Sequence, residues 1–337
     1  VLVDDRFMRA VEADEEYPLD LRANSGTVDS VSAREIFQKI LLAAHKNGEP
    51  GIVFKDRIAN DDPTPFLSDS FALAPCAELS LVPGEACQFS YVNLGEMVMG
   101  EPGCKSIDWN KLKEHVHLVL RFLDNALQYS LPRYFSEESR HVNSIKRKVG
   151  VGVLGLADML IELGVPYGSD ESIGVIRDVM SFINYHSKQE SVNLAKERGS
   201  FPAFDRSRYA SDDDFLMKRL SSGKGSVIAS DEWSGLAEEI KTHGLRNAAT
   251  VAAPPTGRSS QLIQHSTASI EPVWSCFTPV SDEISGAQVF NLEVGDTLKR
   301  VVINPRLLGM LDRAGVPLDG ELTEKIIESR GAIGDIA

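Results

Sequence analysis

The sequence predicts an α/β protein, and three observations carry that reading. Apolar residues recur at helical spacing over most of the chain, strand-like runs are few and short, and those runs fall between helices. The first clear helix is marked by Ser32 and Glu35, a capping box, after which Ile36, Ile40, Leu41 and Ala44 repeat up to Gly48. Asp108 caps a second, whose apolar stripe runs through Leu112, Val116, Val119, Phe122, Leu123 and Leu127 until Pro132 stops it. A long helix is expected from about Ser172 to Arg198, closed by Gly199, with shorter ones at Gly155–Leu163, Ser234–His243 and Glu321–Arg330. The best strand is Cys87–Leu94, which alternates and carries aromatic and β-branched residues. Ala248–Ala253 reads as a small-residue strand running into Pro254-Pro255, and Gln288–Val294 as a weaker one. In Phe277–Val280, Pro279 would confine the strand to a sheet edge. Residues 202–232, rich in Asp and Ser, read as a surface excursion.

Composition narrows the function. With 337 residues, 42% hydrophobic and 25% charged, the chain has the make-up of a globular protein able to bury a substantial core. Its formal charge of -14 repels polyanions, so neither direct nucleic-acid binding nor attachment to an anionic membrane is expected as the main activity. A small phosphorylated ligand is compatible with this charge, because backbone N–H groups bind phosphate without net positive charge. Four cysteines, Cys76, Cys87, Cys104 and Cys276, are too few for a disulfide scaffold and fit a reducing, cytoplasmic compartment. The plain reading of all four is buried small hydrophobes. No C-x-x-C pair is present, the seven histidines are scattered, and no protein-held metal is expected. The longest apolar run, Val149–Ala157, is too short to span a membrane, and the first residues lack the pattern of a signal peptide. The chain starts at Val1 and stops at Ala337 without punctuation, and is read as a segment of a longer protein.

Gly150-Val-Gly-Val-Leu-Gly155 matches the dinucleotide-binding pattern G-x-G-x-x-G, with Asp170 about 20 residues on. That fingerprint needs a hydrophobic strand leading into the first glycine, whereas Lys146-Arg147-Lys148 precede it here. The competing reading is that these glycines let a helix start pack close to a neighbouring strand.

Two segments carry more specific chemistry. In Pro75-Cys76-Ala77-Glu78, extended chain would project Cys76 and Glu78 to one face. A carboxylate beside a thiol opposes thiolate formation; it suits a thiol that loses a hydrogen atom next to a base that takes a proton. Cys87, eleven residues later, could reach the same cavity as a reductant. The second segment, Pro254-Pro-Thr256-Gly257-Arg258-Ser259-Ser260-Gln261, ends a strand in a loop of small hydroxyl residues. Such a loop is either a phosphate cradle or simply a helix cap; it is not a Walker loop, nor is Ser222–Ser226 around Lys224.

Taken in order, these pieces resemble the catalytic large chain of ribonucleotide reductase. The resemblance is carried by Val1–Ala13, Gly48–Phe54, Pro75–Glu78, Cys87–Leu94, Arg121–Asn125, Val149–Leu160, Glu197–Pro202, Pro254–Gln261 and Ile270–Pro272, and so runs over essentially the whole chain. It implies a ten-stranded α/β barrel threaded by a finger loop (about residues 70–86), with 1–337 a single barrel region truncated at both ends. It implies that Cys76 becomes the thiyl radical that abstracts the ribose 3′ hydrogen, that Glu78 accepts the 3′-hydroxyl proton, and that Cys87 is half of the reducing dithiol. Thr256, Gly257, Arg258, Ser259 and Ser260 would hold the substrate phosphates. A thioredoxin- or glutaredoxin-type reductant, nucleotide effectors acting outside this segment and a homodimer are implied too.

The radical source lies between two branches, of which the adenosylcobalamin-dependent one is favoured. Pro-Cys-Ala-Glu and the short Cys76-to-Cys87 spacing look more like the adenosylcobalamin-dependent branch; Ser259-Ser260-Gln261 looks more like the branch with a separate metal-containing small subunit. Three departures from the family pattern stand out. Ala74 occupies the place of an asparagine that holds sugar hydroxyls, and losing one oriented hydrogen-bonding group commonly costs on the order of 10²-fold in rate. Neither Cys104 nor Cys276 matches the partner of Cys87, and both read as structural. Segments bearing radical-transfer tyrosines or a re-reducing cysteine pair are absent, so the chain alone is expected not to turn over. The alternative that Ala74 motivates is an impaired paralogue that binds nucleotide in a regulatory or structural role.

Overall fold

The structure, a computed structural model, describes residues 1–19, 29–68, 72–86, 88–101, 103–221, 225–263, 266–273, 277–279, 289–294, 297–303, 305–317, 322 and 325. The chain divides into two compact units, Val1–Asp69 and Ser70–Ala337.

The first unit contains β1 (Leu2–Val3), α1 (Asp5–Ala13), β2 (Glu16–Leu19), β3 (Asp29–Ser32), α2 (Ala33–Asn47), β4 (Val53–Phe54) and α3 (Lys55–Asn60). Strand β1 pairs in parallel with β4, and β2 pairs antiparallel with β3. Asp4 starts α1 by accepting the Phe7 N–H at 2.7 Å, and Ser32 starts α2 by accepting the Glu35 N–H, as the capping pattern predicts. Helix α2 ends at Gly48. Phe7, Val3, Ala10 and Ala33 form the core of this unit, with Tyr17 set edge-on to Phe7 at 5.3 Å.

The second unit opens with β5 (Ala72–Leu73), β6 (Ser80–Leu81), β7 (Phe89–Asn93), β8 (Val98–Met99), β9 (Ser106–Ile107), α4 (Trp109–Ser130) and α5 (Glu137–Lys146). It continues through β10 (Gly150–Leu154), α6 (Leu156–Leu163), α7 (Asp170–Arg198), α8 (Arg208–Ser211), α9 (Asp213–Ser221), α10 (Ser230–His243) and α11 (Gly257–Leu262). An antiparallel sheet of β11 (Phe277–Pro279), β12 (Val289–Val294) and β13 (Thr297–Ile303), then α12 (Pro305–Ala314), completes it. Strand β11 lies at the edge of that sheet, where Pro279 can be tolerated. The architecture is mixed α/β, and the strands among the described residues do not close into a barrel. No helix of the described residues is long and apolar enough to cross a membrane.

Helices α4, α6 and α7 fall where expected, and α10 starts one turn earlier than its predicted Ser234. Asp108 caps α4 by accepting the Lys111 N–H at 2.9 Å. The stripe of α4 is shifted, however: Leu120 is buried, Val119 only half-buried, and Phe122 exposed. The glycine-rich run, expected as the start of a helix, is instead the fully buried strand β10, and only Gly155 begins a helix. Residues expected as a surface excursion bury Tyr209, Phe215, Leu216 and Leu220 on α8 and α9. The helix expected at Glu321–Arg330 lies outside the described residues except for Leu322 and Lys325, both helical.

The three basic residues before β10 are all buried. Lys146 and Lys148 converge on one Glu85 oxygen, at 3.2 and 3.3 Å, and that oxygen also accepts the Val82 N–H. Arg147 binds Asp124, which sits on α4 and also meets Arg198 from α7 and Arg246. The Glu85 carboxylate thus faces two buried ammonium groups. Glu85→Ala is expected to destabilise the chain by about 3–5 kcal/mol, because it leaves both lysines buried without that charge. Urea unfolding checks this; a loss below about 1 kcal/mol would show that the lysines are compensated elsewhere.

Helices α4 and α7 also enclose a histidine pair, His117 and His186, with ring centroids 5.5 Å apart. Burial holds His186 down at about 4; His117 and Lys113 act in the same direction, and the Gln189 hydrogen bond opposes them. Burial lowers His117 as well, against the pull of Glu190. An unfolded histidine titrates near 6.5, so between that pH and about 4 the unfolded chain binds a proton that the folded His186 refuses. Stability is therefore undiminished above about pH 6.5 and falls as the pH drops towards 4. His186→Leu should flatten that part of the acid limb relative to wild type in urea unfolding at pH 7, 5.5 and 4.5. Parallel curves for the two proteins would contradict this origin.

Candidate active site

Parallel strands build the floor of the site. Strand β10 pairs with β7 in the register Gly150↔Phe89, Gly152↔Tyr91 and Leu154↔Asn93. On its other side Val151 bridges Val251 in parallel, with the Val151 N–H donating to Thr250 O at 2.8 Å. Because side chains alternate, Phe89, Tyr91 and Asn93 share one face of β7, and Gly150 and Gly152 lie opposite the two aromatics on that face. A Cβ on Gly150 would lie 2.5 Å from Ala252 Cβ, and one on Gly152 2.7 Å from Pro254 Cδ. Gly150 and Gly152 thus serve close packing of strand β10 against Ala252 and Pro254, and not of a helix start against a strand as expected. Helix α5, rather than a strand, precedes them, which removes the context a dinucleotide fingerprint needs.

Above this face sits the hairpin of β5 and β6, paired Leu73↔Ser80. Its loop is a turn and not extended chain: the Ala77 N–H donates to Ala74 O at 2.8 Å, with Pro75 and Cys76 at the centre. Pro75 pre-sets the φ that this turn position requires, so the alternation expected to align Cys76 with Glu78 does not apply. Ala77 follows in the left-handed region at φ 60°, a conformation non-glycine residues rarely hold. Cys76 is exposed at the turn and Glu78 is half-buried. Ala74 is buried against Leu79, Leu81 and Ala252, with Phe89 packed on the same cluster. That cluster seats the hairpin on the strand face, and Lys148 pins it further by donating to Ser80 O at 2.6 Å. A methyl group fills the place of the expected asparagine, and an amide there would have to be accommodated in packed surroundings.

The loop after Ala252 divides the five expected phosphate residues into two kinds. Thr256 and Ser260 are buried and hold the turn. Thr256, at φ 52°, accepts the Ser269 N–H on its hydroxyl at 2.7 Å and the Ser260 N–H on its carbonyl at 2.9 Å, while the Ser260 hydroxyl donates to Gly257 O. Gly257 and Arg258 are exposed and Ser259 is half-buried, so these three are the ones a ligand can meet. The N–H groups in the first turn of α11 have no partner within the helix, the usual condition at a helix start.

Several residues that position this loop were not anticipated from sequence. Tyr91 on β7 places its phenol oxygen 2.8 Å from Ser259 Oγ. Asn93 donates to Ser266 Oγ, and buried Asp158 on α6 accepts both the N–H and the hydroxyl of Thr267. Burial raises the Asp158 carboxyl, with Thr267 and Arg306 pulling it back. The period-two set Phe89, Tyr91, Asn93 is the one sequence signal that could have found the two on β7.

Cys87 and Cys276 lie outside the described residues. Cys76 and Cys104 are both exposed free thiols, so neither is the buried small hydrophobe that the bare count implied, and Cys104 is not a core residue.

A family model described as the barrel domain of ribonucleotide reductase matches residues 1–308. Vitamin B12-dependent ribonucleoside-diphosphate reductases from Mycobacterium tuberculosis and Thermoplasma acidophilum are each 34% identical over 273 residues, covering 81% of this chain and 34% and 31% of their own lengths. The alpha subunit of ribonucleoside-diphosphate reductase from Synechocystis is 31% identical over 252 residues, or 73% of this chain and 31% of the relative. The chain thus spans about a third of the length of these curated relatives. With a family match over nearly its whole length, the chain belongs to the ribonucleotide reductase family, in its barrel domain.

Proposed function

We propose that this chain is a catalytic barrel segment of a ribonucleotide reductase that converts ribonucleoside diphosphates to 2′-deoxyribonucleotides by radical chemistry. The observation that carries the reading is the seating of the Cys76 hairpin, through Ala74, on Phe89 of β7 and on Ala252, in the segment that bridges β10 at Val251 and runs on into the Thr256–Ser260 loop; the strand expected at Ala248–Ala253 is reduced to that single bridge. Its relatives are named diphosphate reductases, which supports the substrate class and does not favour a purely nucleotide-binding paralogue. The ten-stranded barrel, closed by chain on either side of this single region, is part of the proposal.

In this reading the loop anchors the substrate. Gly257, Arg258 and Ser259 meet the phosphates through N–H, guanidinium and hydroxyl groups, while Thr256 and Ser260 keep the turn in shape. Anchoring at that end holds the ribose against the hairpin and turns an encounter into a fixed approach of Sγ to the 3′ hydrogen. Cys76, as a thiyl radical, takes that hydrogen and at the end returns it to C3′, which restores the thiyl; Glu78 accepts the 3′-hydroxyl proton and later gives it back; the 2′-hydroxyl leaves as water with one of the protons of the reducing dithiol. Cys87 and a second thiol from elsewhere in the protein supply two electrons and two protons and end as a disulfide, which a thioredoxin- or glutaredoxin-type protein re-reduces.

Cys76 stands exposed at a turn, so a radical source can reach the thiol without crossing packed chain. That fits adenosylcobalamin, which the B12-dependent relatives favour over a separate small subunit. When bound, the cofactor supplies the initial radical equivalent. A cytoplasmic homodimer with effector sites beyond this segment completes the proposal.

In the full-length protein supplied with its radical source, Cys76→Ser should abolish deoxynucleotide formation while ribonucleoside diphosphate binding stays within about twofold of wild type, since serine keeps the turn but cannot serve as the thiyl carrier. Product assay and calorimetric titration check this, and retained turnover would refute the assignment.

A further inference from the structure

We propose that Tyr91 is a positioning residue for the substrate phosphate, acting through the hydroxyl of Ser259. The inference deepens the reading of Ser259 as a phosphate contact and rests on it. Tyr91 and Ser259 are far apart in sequence yet their oxygens lie 2.8 Å apart, a normal distance for two hydroxyls.

The arrangement is built from both sides. Tyr91 projects from β7 on the face it shares with Phe89, whose ring lies 5.8 Å away and limits the directions the phenol can take. Across the pair on β10 stands Gly152, where the Pro254 ring takes the room a side chain would fill. Ser259 sits in the first turn of α11, in a loop already fixed by the bonds of Thr256 to Ser260 and Ser269. The bond to the phenol restricts the Ser259 hydroxyl further.

The direction of the bond follows from the ligand. A serine hydroxyl has one proton to donate and two lone pairs, and a phosphate oxygen can only accept. When Ser259 donates to phosphate, its oxygen is left to accept, and the Tyr91 O–H is the donor facing it. The chain of bonds then runs from phenol to serine to phosphate, and each donor polarises the next. Tyr91 therefore aims and strengthens the Ser259 contact without touching substrate itself. Loss of one neutral hydrogen bond corresponds to roughly a two- to tenfold loss of affinity.

The test uses the full-length protein with Tyr91→Phe, Ser259→Ala and the double variant, read by ribonucleoside diphosphate binding and by the kcat and KM of deoxynucleotide formation. Tyr91→Phe keeps the ring, and matched thermal unfolding confirms that packing is retained. The expected result is a roughly two- to tenfold rise in Kd and KM for Tyr91→Phe, with kcat little changed. The double variant should bind no more weakly than Ser259→Ala alone, because the phenol acts through that serine. Three results overturn the proposal: unchanged binding in Tyr91→Phe, a fall in kcat with KM unchanged, or additive losses in the double variant. If Ser259→Ala itself leaves diphosphate binding unchanged, the phosphate reading of the loop fails first; if only Tyr91→Phe is silent, that reading stands and the positioning role alone falls.

Discussion

The segment Ala252–Pro254 packs against strand β10 at close range only because Gly150 and Gly152 carry no side chains there. Neither position has space for even a methyl group, given Ala252 and Pro254 beside them. This constraint sets where the chain at 251–254 runs, and hence where the loop after Pro255 emerges. It also brings Ala252 against Phe89, which packs on the same cluster. Replacing either glycine would push the loop-bearing segment away from the strand whose tyrosine holds Ser259. At Gly155 a different property is used, the left-handed backbone that starts α6 next to Asn93.

Around this tight centre the fold buries charge. Asp124 gathers Arg147, Arg198 and Arg246, tying α4 and α7 to the chain on either side of the strands. Glu85 does the same for Lys146 and Lys148, and Lys148 extends the tie to the hairpin through Ser80. Such pairs are weak evidence for net stability, since desolvation offsets much of their attraction. Their effect is geometric: each carboxylate has one arrangement that satisfies several cations, which fixes the entry into β10 and the base of the hairpin together.

How much of this could be read beforehand depended on the range of the interaction. Helix starts were legible because Ser32 and Asp108 cap locally, within three residues of the N–H they accept. Strand β10 was not, because alternating Gly and Val carry no polar face and glycine weakens the strand signal. Helix α4 was placed correctly but rotated, since Phe122 and Leu120 fit the helical period about equally and only tertiary packing chooses between them. In 202–232 the Asp and Ser residues masked the apolar positions that pack on α8 and α9. At the site, the alternation expected of Cys76 and Glu78 failed because Pro75 and Cys76 sit at the centre of a turn. The loop residues were found by their chemistry, but their division into buried and presented groups depends on partners such as Ser269 and Tyr91, which no local pattern reveals.

The central claim is that the Cys76 hairpin and the Thr256–Ser260 loop close on the same molecule. Hydrogen–deuterium exchange of the full-length protein, with and without a saturating ribonucleoside diphosphate, tests it most directly. The account predicts that ligand slows exchange in both the 72–81 hairpin and the 254–262 loop, at the same ligand concentration. Protection of one segment with the other unchanged would contradict it.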